Sequence, residues 1–119
     1  MIPLQTDRPL AFFDIESTGT NVRSDRIIDL AIVKLLTNGK REEHTFRVNP
    51  ERPIPAEASA VHGIYDKDVQ ACPTFKQVAA QIAQVFEGCD LGGYNILRFD
   101  IPMLCEEFTR VGVTFVVEG

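Results

Sequence analysis

The sequence predicts an α/β or α+β sandwich built on a mixed sheet, in the order β-β-β-α-β-α. Three observations carry that expectation. Strand-like apolar stretches joined by turn-forming links fill residues 9–48, a capped amphipathic helix follows over 74–86, and a short glycine-rich strand then precedes a second helix. With 119 residues, 45% apolar and 24% charged, the chain is long enough for one core and too short for two.

Residues 9–15 read as the first strand. Leu10, Phe12, Phe13 and Ile15 make an almost unbroken apolar run of the kind covered on both faces, which belongs in the middle of a sheet. Residues 16–24 are dense in Ser, Thr, Gly and Asn and read as a turn, after which 26–36 resume an Ile, Leu and Val pattern as a second strand. Asn38-Gly39 signals a tight hairpin with positive φ values, returning 41–48 as an antiparallel third strand with Phe46 and Val48 on one face. Pro50, Pro53 and Pro55 exclude regular structure until about residue 56. Residues 57–61 then suit a short helical turn closed by Gly63. Thr74-Phe75-Lys76-Gln77 has the capping-box form, and Phe75, Val78, Ala79, Ile82, Val85 and Phe86 recur at helical spacing until Gly88. Residues 90–94 read as a strand end, 101–111 as a helix that tolerates Pro102 in its first turn, and 113–117 as the start of one more strand. A right-handed crossover through the Thr74 helix lays the 90–94 strand beside and parallel to the first.

Twelve Lys plus Arg against seventeen Asp plus Glu give a net charge of −5, which argues against a domain that holds nucleic acid by simple charge neutralisation. A bound cation would reverse that locally. No apolar run approaches the roughly 20 residues of a membrane span, and residues 1–10 carry Asp7, Arg8 and two prolines where a signal peptide needs an apolar stretch. The expectation is a soluble, cytoplasmic protein with no membrane contact. Cys72, Cys89 and Cys105 form no C-x-x-C pair and read as buried thiols. No repeat or linker-like tract divides the chain.

Asp14 and Glu16 stand two apart at the end of the first strand, where period-2 geometry points both to one face about 6 to 7 Å apart. Two carboxylates leaving so apolar a strand repel each other unless a cation or proton intervenes; the alternative is that the strand ends at Ile15 and both are solvated. Asp100 lies between the 90–94 strand and the last helix, and the crossover brings it to the same sheet edge. It has two readings, an N-cap of that helix or a third ligand. Three hard oxygen donors, without a cysteine or clustered histidines, suit Mg²⁺ or Mn²⁺ better than Zn²⁺. On residue type alone His62 ends a helical turn, Phe99 fills core, and Asn95 either caps the last helix, orders a loop or serves the site. Asp25, Asp29, Asp66, Asp68 and the Glu42-Glu43 pair read as solvated charges, and Glu106 and Glu107 as helix surface.

These residues resemble a known family. Phe12-Phe13-Asp14-Ile15-Glu16-Ser17-Thr18-Gly19 resembles the first motif of the DEDD superfamily, the 3′-to-5′ exonucleases related to polymerase proofreading subunits and ribonuclease T. Val61-His62-Gly63-Ile64, with Ala58 and Ala60 before it, is similar to the stretch between the family's motifs, and Asn95 with Phe99-Asp100 resembles the second motif with one residue more than the commonest spacing. The resemblance runs from about Leu10 to Val111 and implies a ribonuclease H-like fold whose first three strands are antiparallel. It implies that Asp14, Glu16 and Asp100 hold two divalent ions, Mg²⁺ or Mn²⁺, about 3.5 to 4 Å apart, and that nucleotides leave singly from the 3′ end of single-stranded DNA or RNA. It also places Ser17, Thr18 and Gly19 near the terminal sugar, and His62, Ile64, Asn95 and Phe99 near the terminal nucleotide or in the supporting shell.

The family's third motif, H-x-x-x-x-D or Y-x-x-x-D, does not occur in these 119 residues. The expectation is therefore one partial exonuclease domain over 1–119, lacking its C-terminal part. Without a fourth carboxylate and a general base it should be weakly active or inactive, and the apolar surface left open should favour a homo-oligomer or a complementing chain. The alternatives are a non-catalytic nucleic-acid-binding or assembly module on the same fold, and a different metal-dependent phosphohydrolase.

Overall fold

The computed structural model describes residues 8–92 and 99–115. Among these residues four strands and four helices follow in the order β1 (Leu10–Ser17), β2 (Ile27–Leu35), β3 (Arg41–Arg47), α1 (Ala56–His62), α2 (Asp66–Val69), α3 (Phe75–Phe86), β4 (Asp90–Gly92) and α4 (Ile101–Arg110). The sheet order is β3-β2-β1-β4, with β1 antiparallel to β2, β2 antiparallel to β3 and β4 parallel to β1. This is the mixed sheet the element order predicts, including the crossover through α3.

Local chemistry explains most boundaries. Thr74 caps α3 reciprocally with Gln77: the Gln77 amide donates to Thr74 Oγ1 and the Thr74 amide donates to Gln77 Oε1, 2.9 Å away. Gly63 closes α1 in the left-handed conformation at φ 73°. The β2–β3 connection departs from the expected two-residue turn. Its bonds, Gly39 N–H to Leu36 C=O and Leu36 N–H to Lys40 C=O, enclose a three-residue loop in which Gly39 alone has positive φ. Helix α2 has no apolar periodicity to announce it; its first turn is held by the Tyr65 amide donating to Asp68 Oδ2. The strand expected at 113–117 is not formed over 113–115, where the backbone makes no ladder, and its remainder lies outside the described residues. Gly93 and Tyr94, the expected end of β4, lie outside them too.

The core sits on one face of the sheet. Ala11, Phe13 and Ile15 of β1 meet Phe75, Ala79, Ile82 and Phe86 of α3 and Met103, Leu104 and Phe108 of α4. The opposite face of β1 carries Phe12, 39% exposed, then Asp14 and Glu16, so this central strand is not covered on both faces. An extra residue in β2 shifts the register between Glu16↔Asp29 and Ser17↔Ile27. Past this bulge Ile27 joins the main core, while Ile28 turns to a satellite cluster with Ile54, Ile64 and Val69. The α1–α2 segment is thereby packed against the sheet beside the end of β1. No helix among the described residues is long and apolar enough to cross a membrane.

Candidate active site

Asp14 and Glu16 alternate with core-facing Phe13 and Ile15, so both project from the open face at the C-terminal end of β1. Asp100 directly precedes α4. It occupies the N-cap position with helical φ −65° and ψ −47° and makes no side-chain cap bond, so capping is not its role. Its side chain is buried, with the residue 3% exposed, and among the described residues Oδ2 has no hydrogen-bond partner. Burial first, and then the negative charges of Asp14 and Glu16, push its carboxyl up from 3.8 to about 6. The three acids thus share one rim, and among the described residues neither the Asp14 nor the Glu16 carboxylate has a hydrogen-bond or ion-pair partner. Among the described residues no group of three His, Cys, Asp or Glu side chains converges into a metal set. In kind, the donors fit a hard divalent cation, being all oxygen, all acidic, and including a buried atom with unused acceptor capacity.

The residues around the rim take definite places. Ser17 Oγ donates to the Gly19 carbonyl, and the Ser17 carbonyl lies 3.1 Å from His62 Nε2. His62 Nδ1 accepts from the Ile64 amide, which leaves the proton on Nε2 and makes it the donor to Ser17. His62 therefore ties the end of α1 to the end of β1. Thr18 is buried: its Oγ1 donates to Asp25 Oδ1 at 2.8 Å and accepts from the Arg26 amide at 3.0 Å. Gly19 packs so tightly on Asp25 that a Cβ there would stand 2.5 Å from Oδ2. Ile64 points into the satellite cluster and Phe99 packs against the main core. Asn95 lies outside the described residues.

Other acids differ from the reading of their sequence positions. Asp25 is not solvated: it accepts from Thr18 and from the Asn21 amide and faces Arg52 at 3.9 Å. Asp29, its side chain 17% exposed, pairs with Arg47. Glu107, expected on a helix surface, is 0% exposed and receives Arg26 Nε, Arg110 Nη1 and the Ile27 amide. The signal for Glu107 was present, since it falls within the Leu104-Phe108-Val111 stripe of α4, where a carboxylate requires buried partners. Of the thiols only Cys89 is buried; Cys72 and Cys105 are half-buried.

Residues 11–115 match the family model described as Exonuclease, RNase_T. The chain belongs to this exonuclease family. Among its relatives, a DNA polymerase III subunit epsilon-like protein of Rhodobacter capsulatus is 36% identical over 107 residues, covering 87% of this chain and 15% of that protein. The DNA polymerase III subunit epsilon of Pasteurella multocida is 28% identical, covering 95% of this chain and 47% of the relative. The 3′-5′ exonuclease DinG of Bacillus subtilis is 29% identical over 100 residues, covering 83% and 11% respectively. The chain thus spans less than half the length of each of these family members. An E. coli exonuclease I structure in complex with a dT13 oligonucleotide superposes with a TM-score of 0.80 at 24% identity, over 90% of this chain and 25% of that one. A zinc-bound E. coli exonuclease I complex with single-stranded DNA gives 0.81 at 23%, over 91% and 25%. These structures share the ribonuclease H-like fold.

Proposed function

We propose that this chain carries the acidic face of a metal-dependent 3′-to-5′ exonuclease acting on single-stranded DNA or RNA, with Asp14, Glu16 and Asp100 as ligands. One observation carries the reading: a buried carboxylate whose Oδ2 has no partner among the described residues lies within the field of two further carboxylates that have none there either. Such a grouping is unfavourable for the protein alone and becomes favourable beside a divalent cation. Mg²⁺ or Mn²⁺ suits the all-oxygen donors and, when bound, supplies positive charge at the scissile phosphate and lowers the pKa of bound water. The chain's own residues do the rest. Asp14 and Glu16, on a rigid central strand, present two acceptors from one face, and Asp100 presents a third from the start of α4. Ser17, Thr18 and Gly19 fix the strand end against which a terminal sugar would lie, and His62 holds that end to α1. The proteins similar to this one include those named as 3′-5′ exonuclease and as exonuclease I complexes with oligonucleotides, which favours a single-stranded 3′ end as substrate. Lacking a fourth acid and a general base of its own, the 119-residue chain should cleave weakly or not at all, since acid-base assistance contributes about 10² to 10⁴-fold.

The test is degradation of end-labelled single strands by the complete gene product with Mg²⁺ or Mn²⁺. Asp14→Ala and chelator should each abolish shortening from the 3′ end. Equal digestion by Asp14→Ala overturns the reading.

A further inference from the structure

Seven residues beyond Asp100, close to two turns at about 3.6 residues per turn, Glu107 lies on the same face of α4. It is the most deeply buried acid described, at 0% exposure, and it accepts three hydrogen bonds. Arg26 Nε stands 2.9 Å and Arg110 Nη1 3.0 Å from Oε1, and the Ile27 amide donates to Oε2 at 2.8 Å. Ile27 pairs with Ser17 next to the bulge, where Ile28 is the extra β2 residue opposite the Glu16–Ser17 step. Glu107 therefore accepts an amide beside the point where the ladder shifts register. From there the bonding continues directly into the strand end that carries Glu16. The Thr18 amide donates to the Arg26 carbonyl at 2.9 Å, and the Arg26 amide donates to Thr18 Oγ1. Arg110, on the same helix, also reaches the carbonyls of Arg23 and Asp25.

We propose that Glu107 is a positioning residue for the acidic rim: it locks the helix that begins at Asp100 to the bulged loop that follows Glu16, and so sets the distance between Asp100 and the β1 acids. The inference rests on the metal-ligand reading above and deepens it. Two acids on one strand hold their mutual spacing by backbone geometry, whereas the third comes from another element, and its place is only as good as the link between the two. Glu107 is that link. It does not touch the substrate or an ion.

The experiment compares the full gene product with Glu107→Gln and Asp100→Asn. Mn²⁺ binding is measured by titration calorimetry, thermal unfolding by circular dichroism, and kcat and KM on a single-stranded oligonucleotide at increasing Mn²⁺. Glu107→Gln should remain folded, bind Mn²⁺ about 10- to 100-fold more weakly, and lose kcat at unchanged KM. High Mn²⁺ should restore kcat in Glu107→Gln but not in Asp100→Asn, a rescue that a merely destabilised fold would not show. A folded Glu107→Gln with unchanged Mn²⁺ affinity overturns this proposal alone. If the unsubstituted protein binds Mn²⁺ no better than Asp100→Asn, the ligand reading fails and takes the proposal with it. Should Glu107→Gln not fold, Arg110→Gln removes one donor and leaves the other two; unchanged Mn²⁺ affinity there overturns the proposal equally.

Discussion

Asp100 at the N-cap of α4 and Glu107 within it lie on one face, and both are buried, at 3% and 0% exposure. Their surroundings are opposite. Glu107 meets two guanidinium groups and a backbone amide, whereas Asp100 lies in the field of two carboxylates and among the described residues keeps an oxygen without a partner. Burial alone therefore does not tell a structural acid from a ligand. What distinguishes them is whether the protein completes the hydrogen bonding itself or leaves it for something else to complete.

The largest expected effect tests the satisfied member. Glu107→Ala removes the buried acceptor of Arg26 Nε, Arg110 Nη1 and the Ile27 amide, and urea unfolding should show a loss of about 3 to 5 kcal/mol. A loss below about 1 kcal/mol would place Glu107 among ordinary surface charges.

The unsatisfied member should make stability depend on pH. Asp100 titrates at its ordinary 3.8 when unfolded and at about 6 when folded without an ion, so between these values the folded state holds more proton. Stability is thus fully present below about pH 4 and falls as pH rises through about 6, by on the order of 2 to 3 kcal/mol. Thermal unfolding in chelator should trace that slope, Asp100→Asn should flatten it, and Mn²⁺ should raise Tm more at pH 7 than at pH 5. A pH-independent Tm in chelator would remove the electrostatic argument for the rim.

A smaller effect gauges how far the satisfied side extends into the loop beside Glu16. Gly19→Ala pushes a methyl against the Asp25 carboxylate that organises Thr18. It should cost about 1 to 3 kcal/mol by thermal unfolding. No change would mean that the loop has slack and that Asp25 does not define the strand end.

Much of this was legible along the chain. The Thr74 capping box, the strand at Phe13, the Gly63 stop and the parallel placement of β4 all depend on neighbours a few residues away or on a handedness common to all such crossovers. The acids of β1 were legible for the same reason, because alternation on a strand puts Asp14 and Glu16 on one face whatever the rest of the molecule does. Less was legible where a residue's surroundings come from distant segments. In sequence Asp25 and Glu107 look like solvated or surface charges because their partners lie in distant segments, and α2 offers no periodicity because its four residues present only Val69 to the satellite cluster.

Residue spacing was therefore enough to determine the order of elements, the mixed sheet, and which acids leave the first strand together, since each follows from backbone geometry repeated over a few residues. Only the tertiary structure decided that Asp100 is buried beside them with an oxygen to spare while Glu107 is fully bonded. An acid's character is set by the charges and donors packed around it, and those arrive from residues as far away as 81 positions in the chain.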